Sequence, residues 1–123
     1  MNIYESGENY LEAILKLKEE RGAVRSIDIA NDLNFSKPSV SVAMKKLREN
    51  GYIDIDDGGY ITLLPTGLEI ARRIYERHRL LTDYFVRLGV SPEVAATDAC
   101  KVEHDLSAET FEKLKEHIRR NSR

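Results

Sequence analysis

The segment 26–51 constrains the fold most strongly, because two short amphipathic helices are joined there by a tight turn. We predict that Ser26 caps the first helix and Ser36 the second, since serine hydroxyls accept hydrogen bonds from helix N-termini. Pro38 falls in the first turn of the second helix, where a missing N–H costs nothing, and Gly51 follows its end. The predicted inner faces are formed by Ile27, Ile29, Ala30, Leu33, Val40, Ala43, Met44 and Leu47. This order predicts a helix-turn-helix.

The next residues predict a β-hairpin. The segments Tyr52–Ile55 and Tyr60–Leu63 alternate in polarity on either side of a turn at 57–59. Helices followed by a hairpin make a winged helix-turn-helix. The hairpin carries no lysine or arginine between Tyr52 and Leu64, and it contains the acidic residues Asp54, Asp56 and Asp57. We therefore expect the wing to contribute little to phosphate binding.

The outer face of the second helix in this motif suits contact with double-stranded DNA. Small hydroxyl and apolar groups near its N-terminus can reach base edges, whereas lysines further along can meet phosphates. The predicted DNA-binding residues are Arg25, Ser36, Lys37, Pro38, Ser39, Ser41, Val42, Lys45 and Lys46. The alternative is a helical hairpin with a solvated polar face, which the tight turn and the following β-hairpin disfavour.

Composition bounds the remaining choices. The chain has 123 residues, enough for one ordinary domain or two small ones that share a core. Its net charge of −2 gives no global attraction to nucleic acid, so a DNA contact needs a local basic surface. A single cysteine suits a reducing cytoplasm, and we expect neither a signal peptide nor a membrane-spanning segment. A cytoplasmic protein is therefore predicted.

The second half of the chain predicts three further helices and a dimer. A long amphipathic helix covers roughly 67–88, the next begins at Ser91 and Pro92, and Ser107 caps the last. The long helix offers more apolar surface than this half can cover, which indicates a homodimer. In such a dimer, two recognition helices about 34 Å apart would meet successive major grooves of a palindromic operator. The predicted fold is mainly α, with a winged helix-turn-helix at 1–64 and a helical metal-binding and dimerisation domain at 65–123.

Six side chains with metal-binding groups lie on three of the predicted helices: Asn9, Glu12, His78, Cys100, Glu103 and His104. The last three are spaced i, i+3, i+4, so one helix is expected to place a thiol, a carboxylate and an imidazole on one face. The first two lie i, i+3 on a first helix predicted from Gly7 to Glu20 with Ser6 as its cap. Each residue alone has a simple explanation as a solvated or buried side chain. Together they allow three helices to converge on one cation.

With these segments in place, the chain resembles the diphtheria-toxin-repressor family of metal-dependent transcriptional regulators, which includes iron-responsive and shorter manganese-responsive repressors. The segments that carry the resemblance are Asn9-Tyr-Leu-Glu12, Ser26–Gly51, Leu63-Leu-Pro-Thr-Gly67, Arg77-His-Arg-Leu-Leu81 and Ala99–Ser107. The resemblance implies a repressor, not an enzyme, that binds promoter DNA as a homodimer when Fe²⁺ or Mn²⁺ occupies a site between the first helix and the dimerisation domain.

The resemblance also implies which residues hold metal. The primary site of the family falls on Asn9, Cys100, Glu103 and His104. In manganese-type members, a neighbouring ion also uses the positions of Glu12 and His78. A thiolate favours Fe²⁺, Co²⁺ or Zn²⁺ over Mn²⁺, whereas carboxylate and amide oxygens suit Mn²⁺ and Fe²⁺. We therefore expect Fe²⁺ as the cofactor, with Mn²⁺ next.

Three features depart from the pattern of the family. Asn9 stands where members have methionine or aspartate, so it offers an amide oxygen without charge or softness. Thr82 and Ala96 occupy the positions at which the iron-type ancillary site uses an acid and a histidine. The sequence ends at Arg123, so we expect the short form that lacks the SH3-like domain of long members.

Three alternative functions remain open from the sequence. One is a winged-helix DNA-binding regulator that metal does not gate, and another is a winged-helix protein-interaction module, which the acidic wing favours. The third is a metalloenzyme that uses Cys100, Glu103 and His104. The sequence disfavours the enzyme, since it has no glycine-rich loop, no HExxH pattern and no evident α/β unit. No small organic substrate is expected.

Overall fold

The computed structural model describes residues 5–121, and within them the chain forms six helices and a two-stranded sheet. In chain order the elements are α1 Glu5–Arg21, α2 Ser26–Leu33, α3 Lys37–Glu49, β1 Ile53–Ile55, β2 Ile61–Leu63, α4 Pro65–Arg87, α5 Pro92–Val102 and α6 Ala108–Arg120. The mainly helical fold with an N-terminal winged helix-turn-helix is confirmed. Residues 1–4 and 122–123 lie outside the described residues. The expectations about a signal peptide and about the end of the chain concern these residues.

The chain divides into two compact units, and the division falls inside α4 between Arg73 and Ile74. The N-terminal unit has a single apolar core made by Tyr10, Leu11, Ile14, Leu17, Val24, Ile29, Ala30, Val40, Met44, Leu47, Ile53, Ile61 and Ala71. Most of the predicted inner faces of α2 and α3 are confirmed. Leu33 and Ala43 are only partly buried against the core, and Ile27 is not one of its members. Because α1, α2 and α3 share this core, they hold one another in place by the burial of apolar surface.

The start of α4 passes very close to the strand region of the same unit. A Cβ atom built on Gly67 would collide with the carbonyl oxygen of Tyr52, so only glycine allows this approach. The hydroxyl of Thr66 donates a hydrogen bond of 2.6 Å to the carbonyl oxygen of Gly51. These contacts fix where α4 leaves the hairpin.

Two predicted helix caps are wrong. α1 begins at Glu5, so Ser6 lies inside the helix, and acidic residues in the first turn complement the helix dipole instead. Ser26 is the first residue of α2, and the N-cap position belongs to Arg25, whose backbone is extended. The backbone N–H of Arg25 donates to the Asp28 carboxylate at 2.9 Å, so that side chain satisfies the end of the helix.

The other two serine caps are confirmed. The Ser36 hydroxyl accepts a hydrogen bond of 3.3 Å from the backbone N–H of Ser39, and Pro38 lies in the first turn of α3 as predicted. The Ser107 hydroxyl accepts one of 3.1 Å from the N–H of Thr110 at the start of α6.

The hairpin forms the wing with the predicted alternation, although each strand has only three residues. Its antiparallel register pairs Ile53 with Leu63 and Ile55 with Ile61. The Asp56 carboxylate accepts hydrogen bonds of 2.9 Å from the backbone N–H groups of Gly58 and Tyr60. One of the three acidic wing residues therefore shapes the turn.

The C-terminal unit contains most of α4 together with α5 and α6. The apolar residues Ile74 and Leu81 of α4 are buried, whereas Leu88 lies just beyond the end of the helix at Arg87 and is 63% exposed. On α6, Phe111 and Ile118 are buried. Within residues 5–121, we find no helix whose length and apolarity would let it span a membrane.

Candidate metal centre and DNA-binding surface

Three of the predicted metal ligands meet at the C-terminal end of α5. The sulfur of Cys100, a carboxylate oxygen of Glu103 and a ring nitrogen of His104 all lie within 4.8 Å of one another. The prediction that one helix carries all three is wrong, since α5 ends at Val102, and the N–H of Asp105 closes a turn onto the Val102 carbonyl. Glu103 keeps helical backbone angles as the C-cap, so the i, i+3, i+4 arrangement persists past the helix end.

Glu103 is the centre of this cluster. Its side chain is fully buried, with Oε2 2.9 Å from Nδ1 of His78 and Oε1 3.5 Å from Nε2 of His104. The structure thus brings His78, from α4, to the same carboxylate as the residues of α5. The His104 side chain is only 2% exposed, whereas Cys100 is partly buried.

A divalent cation fits this arrangement. Among the described residues, none donates a hydrogen bond to Oε1 of the buried Glu103 carboxylate. Burying a carboxylate without a full set of donors or a positive partner is costly, and a cation beside it would remove that cost. The donor set of sulfur, imidazole nitrogen and carboxylate oxygen matches a borderline transition metal better than Mg²⁺ or Ca²⁺, which prefer oxygen alone.

The two remaining predicted ligands belong to the N-terminal unit. Asn9 and Glu12 lie i, i+3 on α1, which places them on one side of the helix, and both are half-buried. Glu8, one residue earlier, forms an ion pair of 2.9 Å with Arg73 at the end of the same unit. This ion pair ties the first turn of α1 to α4.

One buried residue next to the cluster was not among the predicted site residues. Arg77 precedes His78 on α4 and is only 6% exposed. A signal was available, because Ile74, Arg77, His78 and Leu81 follow the i, i+3, i+4, i+7 spacing of a buried helix face.

All nine predicted DNA-binding residues are exposed, and five of them lie along the outer face of α3: Ser39, Ser41, Val42, Lys45 and Lys46. Val42 is 56% exposed, so its apolar side chain is open to contact from outside. The Ser36 and Ser39 hydroxyls lie 2.7 Å apart at the N-terminus of the helix, so part of their bonding capacity is used by the cap.

Arg25 brings a positive charge to the wing. Its backbone forms an isolated antiparallel bridge with Tyr60, and its guanidinium carbon lies 5.4 Å from the centre of the Tyr60 ring. The sequence predicts Arg25 as a DNA-binding residue, but its stacking on Tyr60 is set by the tertiary structure. The guanidinium of Arg25, in the loop before α2, therefore places a positive charge beside the acidic hairpin.

Comparison with known proteins agrees with this architecture. Residues 2–59 match the iron dependent repressor N-terminal DNA binding domain, and residues 64–123 match the iron dependent repressor metal binding and dimerisation domain. The chain belongs to the iron-dependent repressor family. Members of this family are transcriptional regulators, so the chain is a metal-dependent DNA-binding regulator with a dimerisation domain and not an enzyme.

Individual relatives support the same assignment. Transcriptional regulator MntR of Salmonella typhimurium is 36% identical over 105 residues, which cover 85% of this chain and 67% of that protein. An uncharacterized HTH-type transcriptional regulator of Methanocaldococcus jannaschii is 36% identical over 113 residues, with 90% of both chains covered. The structure of the manganese regulator SloR superimposes with a TM-score of 0.81 at 26% identity. That match covers 97% of this chain but only 55% of the SloR chain.

Proposed function

We propose that this chain is a cytoplasmic, metal-activated transcriptional repressor that binds promoter DNA as a homodimer. The observation that carries the proposal is the buried Glu103 carboxylate, which lies between two imidazoles and beside a thiol. The proposed ligands are Asn9, Glu12, His78, Cys100, Glu103 and His104. In functional terms we divide the chain into a DNA-binding part at 1–64 and a metal-binding and dimerisation part at 65–123.

The proposed effector is Fe²⁺, with Mn²⁺ as the second candidate. Cys100 supplies a thiolate, which binds Fe²⁺ more readily than Mn²⁺, whereas the oxygen donors accept either ion. The similar protein SloR is described as a manganese regulator, which supports Mn²⁺ as the competitor to test. Availability in the cell as well as ligand affinity decides between these ions.

The proposed activation depends on α1 moving as one body with the helix-turn-helix. Leu11 and Ile14 of α1 share an apolar core with Ile29 of α2 and Val40 of α3. Asn9 and Glu12 on α1 would therefore carry α3 with them when they join the ligands of the C-terminal unit. A bound cation supplies the positive charge that the carboxylates of Glu12 and Glu103 both need. Fixing α1 in this way limits the positions of α3, which raises DNA affinity by favouring the binding-competent arrangement.

DNA recognition is proposed to combine α3 with the loop before α2. Ser39, Ser41 and Val42 would face base edges in the major groove, and Lys45 and Lys46 would contact phosphates. The remaining proposed contacts come from Arg25, Ser36, Lys37 and Pro38. Because Arg25 stacks on the wing, it offsets part of the repulsion between DNA and the acidic hairpin.

A two-fold dimer would pair two copies of α3 with a palindromic operator. Large apolar side chains are exposed at the end of α4 and the beginning of α5, with Val86, Leu88 and Val94 at 39%, 63% and 50%. Apolar groups that are close in the chain and open to solvent favour a partner surface. We propose that a second copy of the chain covers them.

The test is fluorescence anisotropy on DNA from the gene's own promoter region, performed anaerobically with chelator, Fe²⁺ or Mn²⁺. The wild type should bind tightly with metal and weakly with chelator, and Glu103→Gln should lose the stimulation while remaining folded. Glu112→Gln, at an exposed position of α6, is the matched control. Equal binding in all three conditions would leave a regulator that metal does not gate. Absence of salt-sensitive DNA binding would favour a protein-interaction module.

A further inference from the structure

The most unusual side chain outside the proposed ligand set is Arg77. An arginine is rarely buried unless its charge and donors are satisfied, and this one is 6% exposed. Its Nη1 atom donates hydrogen bonds to the carbonyl oxygens of Glu103 at 3.0 Å and Leu106 at 2.8 Å. The guanidinium carbon also lies 5.0 Å from the centre of the Phe111 ring on α6. One side chain of α4 therefore contacts both the turn after α5 and the helix that follows it.

These contacts fall on the segment that holds two of the proposed metal ligands. Carbonyl groups at a helix C-terminus have no partner within the helix and carry a partial negative charge. The Arg77 guanidinium meets this need at Glu103, the C-cap of α5, and it also bonds the carbonyl of Leu106 in the turn that follows. Since one nitrogen bonds both carbonyls, the segment 103–106, which includes His104, is held at both ends.

Arg77 and its neighbour contact different parts of Glu103. Successive helical residues are rotated by about 100°, so Arg77 and His78 lie at the two edges of the same buried face of α4. His78 meets the Glu103 carboxylate, whereas Arg77 meets its backbone carbonyl. The main chain and the side chain of the same residue are thus fixed independently. This arrangement determines the direction in which the carboxylate points.

We propose that Arg77 is a positioning residue that sets the geometry of the metal-ligand turn 103–106 and thereby the metal affinity of the protein. This inference rests on the proposed function, because it assumes that Glu103 and His104 bind metal. Arg77 itself does not bind metal. It acts through the turn, and its rigid planar guanidinium is better suited to holding two carbonyls and an aromatic face than a flexible ammonium is.

The test compares Arg77→Met with the wild-type dimer by titration with Co²⁺ alone. Co²⁺ is a suitable probe because charge-transfer absorption from the Cys100 thiolate reports whether the ligand geometry is intact. We expect Arg77→Met to bind Co²⁺ about 10- to 100-fold more weakly, the loss typical when a residue that orients metal ligands is removed. Its absorption spectrum should also change. Arg77→Lys should recover part of both, and Arg79→Met, at an exposed position of the same helix, should match the wild type.

Thermal unfolding in chelator separates positioning from a general loss of stability. If Arg77 only stabilises the fold, the variant will melt earlier without metal, yet a folded sample will bind Co²⁺ with wild-type affinity and spectrum. That result overturns the inference. If Arg77→Met does not fold, the same comparison is made with Arg77→Lys, for which unchanged affinity and spectrum overturn it equally. Failure of the wild type to bind Co²⁺ would instead overturn the proposed function, and the inference with it.

Discussion

The two compact units of this chain have different kinds of interior. The N-terminal unit is built around apolar side chains, and the core shared by α1, α2, α3 and the wing contains no charged residue among those described. The charged residues buried within residues 5–121 are Arg77 and Glu103, and both belong to the C-terminal unit. Apolar packing is stable without a ligand, whereas buried charge depends on exact partners. The N-terminal unit is therefore held by apolar burial alone, whereas the interior of the C-terminal unit depends on the partners of its buried charges.

The largest effect is expected from a cavity in the apolar core. Ile14→Ala should lower the free energy of unfolding by about 2–5 kcal/mol, because the buried side chain is removed and neighbours relax only partly. Urea unfolding in chelator measures this change. Lys18→Ala, on the exposed side of α1, should stay within about 0.5 kcal/mol. Similar stabilities for both variants would contradict the description of this core.

Metal should raise the free energy of unfolding only through the buried cluster around Glu103. Wild-type protein with free metal at about 100 times its dissociation constant should gain about 2.7 kcal/mol in the free energy of unfolding. The gain should disappear in Glu103→Gln, which loses the central carboxylate, and should persist in Ile14→Ala, whose ligands are intact. Unfolding followed with and without Mn²⁺ provides the measurement. A gain that survives Glu103→Gln would place the cation elsewhere.

A helix cap in the N-terminal unit should have a smaller effect that does not depend on metal. Ser36→Ala removes the acceptor for the Ser39 N–H at the start of α3 and should cost about 1 kcal/mol. Ser6→Ala is the matched control, since Ser6 lies inside α1 and should show no such loss. Thermal melts of the two variants should therefore differ, and equal melting temperatures would argue against the Ser36 cap.

The smallest effect on stability is expected on the DNA-facing surface. Lys45→Ala should leave the free energy of unfolding within about 0.5 kcal/mol, because the side chain is exposed. The slope of log affinity against log salt should nevertheless fall by about 1, which corresponds to one phosphate contact. Anisotropy titrations at several salt concentrations measure the slope. An unchanged slope would remove Lys45 from the DNA contact, and Lys113→Ala on α6 serves as the control.

Much of the N-terminal unit was predictable because its signals are local. The Ser36 cap, Pro38 in the first turn of α3 and the alternation of the hairpin each involve residues only a few positions apart. The caps at Ser6 and Ser26 were predicted wrongly for the same reason. Several residues near a helix N-terminus can accept a hydrogen bond from its backbone. At α2 the acceptor is the carboxylate of Asp28 and not the hydroxyl of Ser26.

The sequence by itself determined the order of elements, the exposed face of α3 and the grouping of Cys100, Glu103 and His104, because each follows from spacing along a short stretch of chain. Only the tertiary structure decided which partners the buried charges meet. Glu103 meets His78, 25 residues away, and Arg77 reaches carbonyls 26 and 29 residues away. A charged side chain is buried when distant groups supply its partners, and no local pattern specifies those partners.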